Sequence, residues 1–153
     1  VAVLRGEGKA FVKERPHKTY AIAVPSDPGH IAEVERLAEG VAHELGFAED
    51  DADSLSIAVT EAVNNAMHHG NKLDKRKKVH VLFELFGERV VVHVSDEGQG
   101  FDPGKLQDPL RPENVLKDSG RGIFILRALM DEVRFCFSPT GTEVVLVKRK
   151  ARR

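Results

Sequence analysis

A chain of 153 residues and 16.9 kDa, 41% hydrophobic and 31% charged, fits one soluble domain, long enough to bury roughly 68–70% of the surface its unfolded form exposes. No apolar run approaches the roughly 18 residues that a membrane span requires, and a formal net charge of −1 argues against a dedicated nucleic-acid protein. The single cysteine, Cys136, cannot form an internal disulfide; its setting in VRFCF reads as a strand packing position, and a reducing, cytoplasmic compartment is expected.

The first 17 residues read as an N-terminal arm without a signal-peptide cleavage pattern, followed by one domain over 18–150 and a basic tail over 151–153. TYAIAVPS (19–26) is rich in strand formers and predicts a first strand, closed by Pro25 and Pro28. From Pro28 to Leu45, Ile31, Val34, Leu37, Ala38, Val41 and Leu45 recur at helical spacing, with Gly46 as the stop. A second helix is expected from the acidic EDDADS segment to His69, before Gly70. The basic run KLDKRKK (72–78), like KRKARR at the chain's end, reads as solvated surface. VHVLFELFG (79–87) and RVVVHVSD (89–96) predict a hairpin; a Gly- and Pro-rich connection (96–122) leads to helical GIFILRALMDE (122–132), and VRFCF and TEVVLVKRK predict two final strands. This order predicts an α+β fold, a two-layer α/β sandwich in which helices cover one face of a mixed, mostly antiparallel sheet.

The stretch EAVNNAMHHGN (61–71) carries unusual chemistry for a helix end. Leu55, Val59, Ala62 and Ala66 fall on one stripe, whereas Glu61, Asn65 and His68 fall on another. A carboxylate and an amide oxygen one turn apart can divide labour, the Asn oxygen as a hard ligand for Mg²⁺ and the Glu as a proton acceptor. The bland alternative is a solvated helix end. Adjacent His68 and His69 do not share a face, so helix-end packing and hydrogen bonding is expected of them rather than zinc binding. In SDEGQG, Asp96 ends an apolar strand, where it can accept from an exocyclic amine such as adenine N6, and Gly98 and Gly100 open a bend that lets backbone approach a flat ligand. A plain glycine turn explains that stretch equally. Gly120 and Gly122 of DSGRGIFIL stand at the start of an apolar helix, a place for phosphate or simply a helix start. Thr142 in PTGTEVV either supports Asp96 through its hydroxyl or belongs to a hairpin turn.

The order of these elements resembles the Bergerat ATP-binding fold of the GHKL superfamily (gyrase, Hsp90, histidine kinases and MutL). EAVNNAMHHGN resembles its N box, DEGQG and SGRGIFIL its two glycine boxes and GT its last motif. Within that superfamily the chain is most similar to the bacterial anti-sigma-factor serine/threonine kinases, over about residues 18–149. The resemblance implies Glu61 as general base, Asn65 as the Mg²⁺ ligand, Asp96 as the adenine-recognising carboxylate with Gly98 and Gly100, and Thr142 as its support. Gly120, Arg121 and Gly122 would lie against the phosphates of ATP under a lid of about 102–121.

The implied activity is phosphorylation of a Ser or Thr on a STAS-type anti-anti-sigma protein, coupled to sequestration of a sigma factor by a homodimer, without direct nucleic-acid or membrane binding. A non-catalytic, ATP-dependent protein-binding module is the alternative. A detached histidine-kinase ATPase domain matches less well.

Overall fold

A computed structural model of the chain describes residues 14–98 and 122–151. The expectations for Gly100, Gly120, Arg121, the lid and residues 1–13 of the arm lie outside these residues. Five strands, β1 (Lys18–Pro25), β2 (Lys78–Leu85), β3 (Arg89–Ser95), β4 (Glu132–Ser138) and β5 (Gly141–Arg149), form one sheet in the order β1-β2-β3-β5-β4. All four pairings are antiparallel, so no parallel member appears among the described strands. Among the described residues, α-helices α1 (Ile31–Leu45), α2 (Glu49–Asn65) and α3 (Gly122–Leu129) accompany the sheet in an α+β architecture.

Local chemistry sets the helix limits. Asp27 accepts from Gly29 N at 3.0 Å and Pro28 opens a short 3-10 turn, so α1 proper starts three residues later than its apolar spacing suggests. Gly46, at φ 75°, ends α1 in the left-handed conformation, and Phe47 N reaches back to Ala42 O at 3.0 Å. Glu49, Asp50 and Asp51 fill the first turn of α2, where carboxylates complement the helix dipole. The α-helix then stops at Asn65, and Ala66–Gly70 continue as a wider π turn closed by Asn71 N donating to Ala66 O at 2.8 Å.

Strand alternation sorts the two sheet faces. Val24, Val79, Val81, Phe83, Leu85, Val90, Val92, Val94 and Leu146 join the apolar sides of the helices in one core. The helical stripe Leu55, Val59, Ala62 and Ala66 is buried there as expected. Phe86, Val91, Val145 and Val147 form a separate cluster. Near it, buried Glu84 faces His93, with Oε1 2.6 Å from Nε2. Cys136 is exposed, contrary to its expected packing role, because Phe135 and Phe137 on either side take the opposite pleat and Phe135 packs on the main core.

This partition predicts unequal substitution costs. Fully buried Phe83 sits on β2 inside the main core, so Phe83→Ala should destabilise the chain by about 3–5 kcal/mol. Exposed Cys136→Ser should stay within about 0.5 kcal/mol. Denaturant midpoints at constant slope measure both, and equal midpoints for the two variants would contradict the assignment of faces.

Candidate nucleotide site

The antiparallel register brings the ends of four strands to one side of the sheet: Pro25 of β1 pairs with Lys78 of β2, His80 with Ser95 of β3, and Ser95 with Glu143 of β5. Asp96, just beyond β3, therefore lies beside Thr142 at the start of β5. The main chains bond directly, with Asp96 N donating to Thr142 O at 3.0 Å. Asp96 Oδ1 accepts from Thr142 N at 3.1 Å and from Gly98 N at 3.0 Å. Thr142 thus supports Asp96 through its amide rather than its hydroxyl, because two chains this close offer backbone donors before side chains can intervene.

Both of these bonds fall on Oδ1, while Oδ2 points at the π turn. A methyl group added to Gly70 would sit 2.1 Å from Asp96 Oδ2, and one added to Gly98 would sit 2.1 Å from Gly70 O. Only glycine fits at either position, so the turn before β2 and the turn after β3 interlock around one carboxylate. Gly70 was not singled out from the sequence, where it reads only as a helix stop. Burial raises the Asp96 carboxyl above its ordinary value, and the amides of Gly98 and Thr142 and the charge of Lys77 oppose that rise. The sign follows: a folded pKa above the unfolded one means that this group contributes stability at low pH, which is lost as pH rises through the folded value.

A cavity of about 470 Å³ opens in front of this carboxylate, lined by His69, Gly70, Asn71, Lys72, Asp74, Lys77, Asp96 and Thr142. His68 and His69 are both exposed on the π turn, and Met67 rather than either histidine packs into the core. Lys72 and Leu73 adopt positive φ of 53° and 57°, uncommon for residues with a Cβ, and turn the chain along the cavity. The sequence pattern gives no sign of this, since KLDKRKK reads only as a basic run. A second, more open hollow of about 670 Å³ includes Ala21, Ala23, Leu82, His93 and Glu143 in its lining. It shares no lining residue with the first.

Glu61 and Asn65 come together one turn apart on α2, half-buried, against the first residue of α3. A methyl group on Gly122 would lie 2.7 Å from Glu61 Oε1, 2.8 Å from Asn65 Nδ2 and 3.3 Å from Asn65 Oδ1. Gly122 therefore lets the start of α3, the positive end of its helix dipole, close on a carboxylate and an amide. Such an arrangement can receive a phosphate chain at the helix end, a hard cation at the Asn oxygen and a proton at the carboxylate. Asn64 beside them is also half-buried. Among the described residues no group of three His, Cys, Asp or Glu side chains could hold a metal by itself, so a cation here would draw most of its ligands from phosphate and water. Among the described residues no helix is long and apolar enough to cross a membrane.

Residues 24–148 match the histidine kinase-like ATPase domain family. The serine-protein kinase RsbW of Bacillus subtilis (strain 168) is 37% identical over 131 residues, spanning 82% of this chain and 81% of that protein. RsbW of Staphylococcus epidermidis is 30% identical over 132 residues, 82% of each chain. Among solved structures, the RsbU and RsbW domains of a Mycobacterium tuberculosis protein superpose with a TM-score of 0.67 at 22% identity, covering 92% of this chain and 35% of that one. The histidine kinase domain of a blue-light-activated kinase from Erythrobacter litoralis gives 0.52 at 19% identity, covering 82% and 61%. The present chain thus spans about a third of the mycobacterial polypeptide, and both structural likenesses speak to the fold. The chain belongs to the histidine kinase-like ATPase domain family, among the anti-sigma-factor serine-protein kinases related to RsbW.

Proposed function

We propose that the chain binds ATP with its base against Asp96 and its phosphates at the start of α3, and transfers the γ-phosphoryl group to a serine or threonine of a STAS-type anti-anti-sigma protein. The observation that carries this reading is the convergence of Glu61 and Asn65 on Gly122. When that partner is phosphorylated, the chain, acting in the cytoplasm as a homodimer, holds a sigma factor instead. Kinship with RsbW proteins named serine-protein kinases supports the acceptor class.

In the transfer, the acceptor hydroxyl oxygen forms a bond to the γ-phosphorus while the bond to the β,γ-bridging oxygen breaks, its electron pair leaving with ADP. Glu61 takes the hydroxyl proton, a role worth roughly 10² to 10⁴ in rate. Asn65 would hold Mg²⁺ through its side-chain oxygen, and the ion would supply charge neutralisation along the phosphates. The helix N-terminus at Gly122 adds backbone donors toward the same charge. Asp96, whose carboxylate helps to line the cavity, fixes the base, and Oδ2, which takes neither of the backbone amides on Oδ1, would accept from an exocyclic amine.

Three outcomes test the reading. Calorimetry should give ATP at least tenfold tighter binding than GTP, since guanine presents an acceptor where adenine donates; Asp96→Asn should lose roughly 10- to 100-fold in ATP affinity, a charge-assisted hydrogen bond of ~1.5–3 kcal/mol. Equal ATP and GTP affinities would remove Asp96 from its role. ATP affinity should fall on acidification at a pH above that of an ordinary aspartate, because the ionised form accepts the amine and burial raises the carboxyl. Asp96→Asn should abolish that dependence, and an unchanged acid limb in this variant would assign it to another group. With labelled ATP and a STAS acceptor, Glu61→Ala should keep nucleotide affinity within about threefold while losing 10²-fold or more in transfer. Wild type that binds ATP but labels no acceptor would leave the non-catalytic binding module in place of the kinase.

A further inference from the structure

We propose that Asn71 is the positioning residue that aims the Asp96 carboxylate and thereby sets adenine selectivity; this rests on the nucleotide reading above. Asn71 is 1% exposed, and every polar atom of its side chain is engaged. Nδ2 donates to Ser26 Oγ at 2.9 Å and to Lys78 O at 2.9 Å, and Oδ1 accepts from Glu97 N at 2.8 Å. Its backbone is equally committed, with N donating to Ala66 O at 2.8 Å and O accepting from Asp74 N at 3.0 Å. One buried residue thus ties the end of β1, the start of β2, the π turn and the turn after β3 into a single corner.

The amide has one permitted orientation. Ser26 Oγ donates its hydrogen to Lys77 O at 2.7 Å, which leaves it an acceptor toward Asn71. Lys78 O can only accept, and Glu97 N–H can only donate. A flipped amide would set oxygen against a carbonyl and NH₂ against N–H, and a carboxylate at this position would offer no donor to either acceptor. Buried as it is, a mismatched group here carries the full penalty of an unmade hydrogen bond.

The consequence reaches the nucleotide side through two adjacent amides. Asn71 holds Glu97 N while Asp96 Oδ1 holds Gly98 N, so the backbone following the carboxylate is fixed at consecutive residues. Gly70, the residue before Asn71, sets the other wall against Asp96 Oδ2. Loss of the Asn71 side chain frees the 97–98 turn while Thr142 N still grips Oδ1, so the carboxylate swings about that contact and its outer oxygen loses its direction. Affinity for a base that donates to this oxygen should suffer, whereas affinity for a base that cannot donate should not.

The test compares ATP and GTP dissociation constants by calorimetry for wild type, Asn71→Ala and Ser26→Ala, each with its unfolding midpoint recorded. Ser26→Ala loosens the same corner but leaves the bond to Glu97 in place. Asn71→Ala should reduce the ATP-over-GTP preference roughly fivefold by weakening ATP alone, while Ser26→Ala keeps the wild-type ratio within about twofold. A wild-type ratio in Asn71→Ala, or an equal loss in Ser26→Ala, overturns the proposal while leaving the ATP site intact. No preference in wild type removes the site reading itself, and the proposal with it. Should Asn71→Ala not fold, hydrogen exchange in wild type replaces it: the Glu97 amide should be protected, and more so with ATP but not with GTP. A Glu97 amide that exchanges freely, or that responds alike to both nucleotides, overturns the proposal.

Discussion

A carboxylate taken partly out of water, with two backbone amides on one of its oxygens, governs the arrangement of this domain. Desolvation raises the Asp96 carboxyl and would favour its neutral form; Gly98 N and Thr142 N restore part of what water supplied. Those amides are available only because β3 and β5 are neighbours in antiparallel register and because glycine at positions 70 and 98 lets backbone come within reach. The sheet order, the π turn and the glycines are thus parts of one constraint. It leaves the second carboxylate oxygen against Gly70, beside a cavity that Asp96 helps to line.

The helix α2 has two faces. Its apolar side, Leu55, Val59, Ala62 and Ala66, is anchored in the core, so Glu61 and Asn65 inherit the rigidity of that packing. Gly122 brings the start of α3 against them, and a side chain of any size there would separate helix dipole from carboxylate. On the proposed reading, base recognition and phosphoryl chemistry fall to different elements: the first to strand ends and turns, the second to two helix termini. Asn71 lies in the turn that joins them, immediately after the π turn that ends α2.

Much of this was legible in the sequence, for physical reasons. Helical and strand periodicities mark which residues leave water, so α1, the apolar stripe of α2 and the β2–β3 hairpin follow from spacing alone. Glu61 with Asn65, and Asp96 with Gly98, each have a bland reading alone, and stand out through their order along the chain and the family resemblance that this order carries. What spacing cannot convey is bonding through the main chain: Thr142 supports Asp96 with its amide, and no side-chain pattern distinguishes that from a hydroxyl. Alternation alone would have placed Cys136 opposite Phe135 and Phe137, but not on which face the core lies. The π turn at the end of α2 and the burial of Asn71, which in sequence is one more polar residue after a helix, have no mark in the apolar spacing.

The central claim, one nucleotide bridging Asp96 and the Glu61–Asn65 pair, is tested most directly by a crystal structure with Mg²⁺ and a non-hydrolysable ATP analogue. The account predicts the adenine amine within hydrogen-bond distance of Asp96 Oδ2, the metal on Asn65 Oδ1 and the γ-phosphate beside Glu61 at the start of α3. A base seated away from Asp96, or a metal held without Asn65, would contradict it.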